Sequence, residues 1–205
     1  MNSFLKKYNK LLLFIFWVIV FIINTILVCL KKTDSFDKYV YDMIFYFHND
    51  AITTIFKFIT FFGSTIGVIS MVILVLLLTK DKRRAFFEML AVLVVYIFDE
   101  SIKLIIARPR PSGINLVTEK SYSYPSGHTA IGFVLYGMLI YSIFNSNINK
   151  HKKVLYCGLL SILICIVAIS RIYLGAHYPS DIIGGFALGN IILISYVYIF
   201  NSKLK

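Results

Sequence analysis

Residues 170–181 read Ser-Arg-Ile-Tyr-Leu-Gly-Ala-His-Tyr-Pro-Ser-Asp and join two long apolar runs, 154–170 and 182–201, that contain no charged residue. Ionisable residues beside membrane-length apolar runs are candidates for function, because a charge close to lipid is costly. Arg171, His177 and Asp181 fall where one predicted helix ends and the next begins. Pro179 suits the first turn of the second helix, where its missing N–H costs nothing. The stretch therefore predicts a polar site at the junction of two membrane-spanning helices.

The histidine and the aspartate of this stretch are spaced so that the two side chains can form a hydrogen-bonded pair. Asp181 follows His177 by four residues, so its carboxylate can hold one ring N–H and leave the other ring nitrogen free as a nucleophile or base. The alternative for this stretch alone is a helix-end ion pair between Arg171 and Asp181, with the histidine at the membrane interface.

Composition predicts an integral membrane protein. Hydrophobic residues make up 59% of the 205 residues and charged residues 15%, a more apolar balance than soluble domains have. Apolar runs of about 20 residues cross a bilayer as helices. We expect an all-α, polytopic fold, with six transmembrane helices in one bundle and a single domain over residues 1–205. The predicted spans are 11–30, 58–79, 85–106, 129–145, 154–170 and 182–201.

The segment after the first span has a different character. Residues 33–57 interleave aspartates and lysines with tyrosines and phenylalanines, a mixture typical of a helix at the lipid headgroups. We expect a short interfacial helical segment here, lying either at the membrane surface or as a cap over the bundle. His48 in this segment is interpreted as an interfacial side chain.

Net charge and its placement indicate topology. The net charge is +11, but the cations lie between apolar runs, which disfavours a nucleic-acid partner. One set of alternating loops and termini carries twelve lysines and arginines and the other nine, or six if Lys103, Arg110 and Arg171 belong to a site. The positive-inside rule then predicts a multi-pass protein of the cytoplasmic membrane with both termini in the cytoplasm.

Three polar stretches fall on the opposite, extracytoplasmic side of this topology. They are residues 103–111, 125–128 and 170–181, and together they offer the cations Lys103, Arg110 and Arg171, two histidines, one carboxylate and a Ser-Gly turn before a helix. Cations and backbone N–H groups at a helix start stabilise a phosphoryl group. With two histidines, one can attack phosphorus while the other protonates the departing oxygen. Lys103 has an alternative role in a local ion pair with Asp99 or Glu100.

These residues resemble a known family. Lys103, six residues and Arg110-Pro111, then Pro125-Ser126-Gly127-His128, then Ser170-Arg171, five residues, His177, three residues and Asp181 are similar to the three ordered motifs of the type 2 phosphatidic acid phosphatase superfamily. That superfamily also includes vanadium haloperoxidases and bacterial acid phosphatases. The motif core covers residues 103–181.

The resemblance implies a role for each matching residue. His177 would be the nucleophile that forms a phosphohistidine, His128 the general acid and Asp181 the group that orients His177. It also implies a reaction without a metal or other cofactor. Arg108 lies outside the motif register and is interpreted as a lipid-headgroup or loop charge. The predicted phosphate-binding residues are Lys103, Arg110, Ser126, Gly127 and Arg171.

The predicted function is hydrolysis of a phosphate or pyrophosphate ester of a membrane lipid, with no obligate protein partner. An extracytoplasmic site favours undecaprenyl pyrophosphate, with phosphatidylglycerophosphate or phosphatidate as alternatives. A non-catalytic lipid-phosphate binding or transport protein would use the same cations but would not require both histidines and Asp181. A haloperoxidase is a further alternative, supported only by the membership of vanadium haloperoxidases in the superfamily.

Overall fold

The computed structural model describes residues 3–112 and 115–203, and these form eight α-helices and one 3-10 turn, with no strand among them. The all-α prediction is confirmed for this part of the chain. The helices are α1 (Ser3–Cys29), α2 (Asp34–Phe45), α3 (Asp50–Thr60), α4 (Thr65–Leu78), α5 (Lys82–Ile106), α6 (Gly127–Phe144), α7 (Lys150–Tyr173) and α8 (Pro179–Lys203).

Polar side chains begin several of these helices. Asn49, Ser64 and Asp81 each accept a hydrogen bond from a backbone N–H in the first turn of α3, α4 and α5, which satisfies donors that have no partner within the helix. Pro179 is the first residue of α8, as predicted. Residue Ala107 ends α5 in a left-handed conformation, with φ 48°, and turns the chain into the loop that carries two arginines.

Four helices are long and apolar enough to cross a membrane: Asn9–Cys29, Gly127–Phe144, Lys150–Tyr173 and Pro179–Ile199. The predicted span at 58–79 is not one straight helix, because the chain breaks at Ser64 and the pair Asp50–Gly63 and Thr65–Leu78 is bent by 54°. Counted as one span, this pair gives a fifth. The helix α5 has the length of a span but carries Glu88, Asp99, Glu100 and Lys103. The described residues thus give four or five candidate spans by length and composition, where the sequence predicts six.

The helix α6 lies at the centre of the bundle and packs against α5, α7 and α8, while α1 packs against α8 and α3 against α7. Its side chains Val134, Tyr136 and Met138 are fully buried, together with Val95 of α5 and Leu188 of α8. The outer faces of α1 and α7 expose leucine, isoleucine and phenylalanine, as expected for surfaces that meet lipid.

The predicted interfacial segment is helical and consists of α2 and the start of α3. The helix α2 packs against α7 and α8. It therefore lies over the end of the bundle at which α5 and α7 end and α6 and α8 begin, and at this end the three motif stretches meet.

Candidate active site

The three motif stretches converge on one cavity of about 150 Å³. Five of the eight predicted site residues line it: Lys103, Arg110, Gly127, His128 and His177. The loop between α5 and α6 and the junction between α7 and α8 are joined directly, because the Ser126 amide donates to the Asp181 carbonyl at 3.0 Å and the Leu116 amide to the Leu174 carbonyl at 3.0 Å. Residues of three separate stretches are thereby brought to a common space.

His177 and Asp181 form the expected pair. The ring Nδ1 of His177 lies 3.5 Å from Asp181 Oδ2, and Nε2 lies 3.3 Å from Arg110 Nη1. The His177 ring is 2% exposed. Burial lowers the pKa of His177 to about 4 even though the Asp181 carboxylate acts in the opposite direction, so the imidazole is neutral at pH 7. A proton on Nδ1 then leaves the Nε2 lone pair beside Arg110.

The Asp181 carboxylate is fully buried and has several donors. Oδ2 accepts from the Tyr178 amide at 2.9 Å and from the Ser123 hydroxyl, and Oδ1 is paired with Arg108 Nη1 at 2.6 Å. These donors fix the carboxylate in the plane in which it meets the histidine, as buried charges require hydrogen-bonding partners. Ser123 lies outside the three motifs, and this role for its hydroxyl was not predicted.

Arg108 lies in the loop after α5 but forms a mostly buried ion-pair network, contrary to the sequence interpretation of a lipid-headgroup or loop charge. Its guanidinium connects Asp181 to Asp37 of α2, with Nη2 2.8 Å from Asp37 Oδ2. Burial alone would lower the pKa of Arg108, but Asp181 and Asp37 outweigh it and raise that pKa. The side chain of Arg108 is 11% exposed. Neither Asp37 nor this use of Arg108 has a signal in the three motifs.

Arg110 is fixed by main-chain oxygens. It donates to the carbonyls of Ser121 at 2.7 Å and Ala176 at 2.8 Å, and to that of Tyr122 at 3.2 Å. The nearest carboxylate is that of Glu119, 4.0 Å from Arg110 Nη2, and the closer partners are carbonyls, which carry no full charge. The guanidinium faces the cavity beside His177 and can receive an anion there.

Arg171 is almost completely buried and lies behind the cavity. It donates to Thr60 Oγ1 of α3 at 2.8 Å and to the Glu119 carboxylate, while Glu119 itself lines the cavity 4.0 Å from Arg110. A carboxylate that lies between two arginines competes with any phosphate for them. Glu119 lies outside the three motifs, so its position here was not predicted.

Lys103 lines the cavity and also forms the local ion pairs that its helical spacing predicts. Its ammonium lies 2.6 Å from Asp99 Oδ2 and 3.0 Å from Glu100 Oε1. Gly127 makes this arrangement possible, because a Cβ at that position would lie 2.6 Å from Asp99 Oδ2 and 3.1 Å from the lysine nitrogen. The close approach of α6 to α5 at this point depends on that glycine.

The two remaining residues of the second motif have different positions. His128 is in the first turn of α6 and faces the cavity. Ser126 is fully buried, accepts from Thr129 Oγ1 at 3.0 Å and holds the Asp181 carbonyl through its amide. Ser126 and Arg171 therefore do not line the cavity. Within the described residues, no group of three or more histidine, cysteine, aspartate or glutamate side chains is arranged to hold a metal ion.

The known proteins that this chain resembles include lipid phosphatases. Phosphatidylglycerophosphatase B of Bacillus subtilis (strain 168) is 37% identical over 113 residues, which make up 53% of this chain and 54% of that protein. The undecaprenyl-diphosphatase of Sulfolobus acidocaldarius is 25% identical over 191 residues, or 90% of this chain and 87% of that one. The chain spans about half or less of the length of the first curated relatives it matches.

Solved structures show the same fold. The crystal structure of a transmembrane PAP2-type phosphatidylglycerolphosphate phosphatase from Bacillus subtilis matches with a TM-score of 0.82 and 25% identity, over 97% of this chain and 98% of that chain. The profile of the PAP2 superfamily matches residues 84–205, which include all three motif stretches. Apart from Gly63 and Thr65, the residues that line the cavity lie in the part of the sequence that the profile covers, and the chain belongs to the PAP2 superfamily.

Proposed function

We propose that this protein is a membrane lipid phosphatase that acts through a phosphohistidine on His177. The observation that carries the proposal is that His177 and His128 line one small cavity together with Lys103 and Arg110. Cations alone would suit a binding protein. A neutral histidine held by a carboxylate, opposite a second histidine, supports covalent catalysis.

The chemistry needs only these groups and water. The Nε2 lone pair of His177 attacks phosphorus, the bond from phosphorus to the lipid oxygen breaks, and protonated His128 gives its proton to that oxygen. His128, now neutral, takes a proton from water as the water oxygen attacks phosphorus. The phosphorus–nitrogen bond then breaks, which releases phosphate and returns His177 to its neutral form.

Lys103 and Arg110 stabilise the charge on the equatorial oxygens in both steps, as in other phosphoryl transfers. Gly127 lets the start of α6 approach these groups. Arg171 and Ser126 remain proposed phosphate-binding residues, but Arg171 reaches the phosphate only when Glu119 withdraws from its guanidinium. Catalysis by residues 103–181 is proposed to need no cofactor.

The size of the cavity limits what enters it. One water occupies about 30 Å³ of liquid, so a cavity of about 150 Å³ holds a phosphoryl group and not a lipid tail. We propose that the lipid remains in the bilayer while its phosphate enters. Undecaprenyl pyrophosphate is the first candidate substrate. Phosphatidylglycerophosphate is the second, favoured by the names of the Bacillus subtilis relative and structure.

The test is phosphate release by the purified protein in detergent with EDTA, for both candidate lipids and for phosphatidate. We expect turnover of at least one lipid, and we expect His177→Ala to abolish it while lipid-phosphate binding persists. Trapping of a labelled phosphoprotein in the wild type, but not in the variant, identifies the intermediate. Binding without turnover of any lipid would favour the non-catalytic alternative.

We also propose the six-span arrangement of one domain over residues 1–205, in which α5 and the bent α3 and α4 pair cross the membrane along with the four apolar helices. The charges of α5 are compatible with this role because Glu88, Asp99 and Lys103 are buried against other helices. Both termini are then cytoplasmic, and the cavity faces the extracytoplasmic side of the cell membrane.

Cysteine labelling on intact cells tests this orientation. Thr118→Cys and Asn147→Cys place a thiol at exposed positions in the loops at opposite ends of the bundle, in a background in which Cys29, Cys157 and Cys165 are replaced by serine. An impermeant maleimide should label position 118 and spare position 147. The reverse pattern inverts the proposed topology.

A further inference from the structure

The catalytic pair is connected to the interfacial helix α2 by a network that the three motifs do not include. We propose that Arg108 is a positioning residue that, together with Asp37 of α2, holds Asp181 in the orientation His177 needs. The inference rests on the proposed function, because it assigns Arg108 a role in the phosphohistidine reaction.

Arg108 contacts Asp181 by two routes. Its Nη1 lies 2.6 Å from Asp181 Oδ1. Its carbonyl accepts from the Ser123 amide at 2.9 Å, and the Ser123 hydroxyl donates to Asp181 Oδ2. One residue therefore fixes a partner on each oxygen of the carboxylate, which sets the angle at which that carboxylate meets His177.

Asp37 fixes Arg108 in turn. One oxygen of Asp37 accepts from the Ser180 amide at 2.8 Å, a donor at the start of α8 that has no partner within the helix. The other oxygen accepts from Arg108 Nη2 at 2.8 Å and from the Ser180 hydroxyl at 2.7 Å. The guanidinium also lies 4.1 Å from the centre of the Tyr178 ring. The Arg108 guanidinium is thus held by Asp181 and Asp37 at its two Nη groups and by the Tyr178 ring on one face.

The charge of Arg108 matters as much as its shape. When His177 takes the phosphoryl group its ring becomes positive, and an ionised carboxylate on Nδ1 stabilises that charge. Asp181 is fully buried, and a buried carboxylate needs a cation or it becomes protonated. Arg108 is the cation in direct contact with Asp181, whereas Arg110 and Arg171 lie toward the phosphate side.

The charged and titratable groups around the His177 and Asp181 pair come from each neighbouring element. Asp181 of α8, Arg171 of α7, His128 of α6 and Arg110 of the loop after α5 act on the His177 ring, and Arg108 of the same loop acts on Asp181. Loss of the Arg108 cation favours proton uptake by the His177 and Asp181 pair. The acid limb of kcat/KM should then move to higher pH.

Arg108 is also accessible from outside the catalytic cavity. With Asp37 and Tyr178 it lines a groove of about 780 Å³ between the end of α1 and α2, and His177 lines both this groove and the cavity. A small cation can therefore reach the space left by a truncated Arg108 without passing the phosphate site.

The experiment compares Arg108→Ala with Arg84→Ala, which removes an arginine from an ion pair with Glu88 near the other end of the bundle. We expect Arg108→Ala to lower kcat about 10- to 100-fold with little change in KM, the loss typical when a residue that orients a functional histidine is removed. Millimolar guanidinium should restore part of kcat. Arg84→Ala should leave kcat, KM, the pH profile and the response to guanidinium as in the wild type.

Each outcome has a separate meaning. If wild-type protein turns over lipid phosphate and His177→Ala does not, the proposed function stands, and a wild-type kcat and pH profile in folded Arg108→Ala overturns the inference alone. If Arg108→Ala does not fold, Asp37→Asn decides, because it loosens Arg108 while leaving the cation in place. A several-fold lower kcat with an upward shift of the acid limb supports the inference. An unchanged kcat in folded Asp37→Asn overturns it.

Discussion

The helix α5 carries an ion pair of the same spacing at each of its ends. Near its start Arg84 Nε lies 3.0 Å from Glu88 Oε1, and near its end Lys103 Nζ lies 2.6 Å from Asp99 Oδ2, each with three residues between the partners. Glu88 also accepts from Ser142 of α6. Lys103 instead faces a cavity that contains two histidines and an arginine. The two pairs have the same spacing, but the residues that surround them from other elements differ.

The neighbours of each ion pair, and not its spacing, indicate whether the pair has a function. An i,i+4 pair is a common local device, so the spacing alone assigns neither pair a function. The pair at the end of α5 becomes a candidate for function because loops and helices from elsewhere in the chain direct cations and histidines to the same point. The pair at the start of α5 lies beside the hydroxyl groups of Ser142 and Tyr196, which suits a structural role.

Removing the cation at each end of α5 should give the largest difference in activity. Lys103→Met should lower kcat/KM about 10²- to 10³-fold, because one preorganised charge that faces the transferring phosphoryl group is lost. Arg84→Met should leave kcat/KM within about twofold, because neither Arg84 nor Glu88 lines the cavity. Steady-state kinetics in detergent on the preferred lipid measures both. Equal losses in the two variants would show that the ends do not differ in function.

A glycine on α6 allows the end of α5 to be tested by a change in packing and not in charge. Gly127→Ala places a methyl group 2.6 Å from Asp99 Oδ2, so the carboxylate and Lys103 must shift away from the cavity. We expect kcat/KM to fall about tenfold, in line with the cost of misplacing a catalytic group.

Gly158→Ala in α7 is the matched control for that variant. A Cβ at Gly158 meets no atom within 4 Å, and alanine favours a helix over glycine by about 1 kcal/mol. Activity should be unchanged and thermal stability equal or slightly higher. A loss of activity in Gly158→Ala as large as that in Gly127→Ala would contradict the packing argument.

Much of the architecture could be predicted from the sequence, because apolar runs of membrane length and their punctuation by charged loops are local properties. The start of α8 at Pro179 and the helical character of residues 34–60 follow from such signals. The bend at Ser64 was missed, since residues 58–79 contain no charge or proline to mark it. The prediction that α5 spans the membrane rested on its length and apolar content. Its four internal charges make the helix less apolar and so weaken that prediction.

The site was predictable where motif residues carry side chains of distinctive chemistry. His128, His177, Lys103 and Arg110 were expected together and line one cavity. Asp37, Glu119 and Ser123 could not be predicted, because their roles come from distant contacts across the fold. A carboxylate in an interfacial helix gives no sign in the sequence that it caps α8 and holds Arg108.

The pH dependence of activity should show a smaller effect, which reports the burial of His177 in the cavity at the end of α5. The pKa of His177 is lowered to about 4, so the neutral fraction of its ring falls by only about a tenth between pH 7 and pH 5. For an ordinary histidine with a pKa near 6.5, the neutral fraction would fall roughly 25-fold over the same range. Because kcat/KM reports the free enzyme, its acid limb should lie near pH 4 after correction for ionisation of the substrate phosphate. A limb near 6.5 would mean that the buried ring is more accessible to protons than the structure shows.

The smallest expected effect lies at the start of α5. Glu88→Gln keeps an oxygen that can accept from Ser142 but removes the charge that pairs with Arg84. Because the Arg84 side chain is 28% exposed, water replaces much of what it loses, and we expect a fall in stability of about 0.5–1 kcal/mol. Thermal unfolding in detergent should show a slightly lower midpoint, with kcat and KM unchanged. A change in kcat without a change in unfolding would instead place this end of α5 in the catalytic cycle, and the contrast between two ion pairs of equal spacing would no longer separate structure from function.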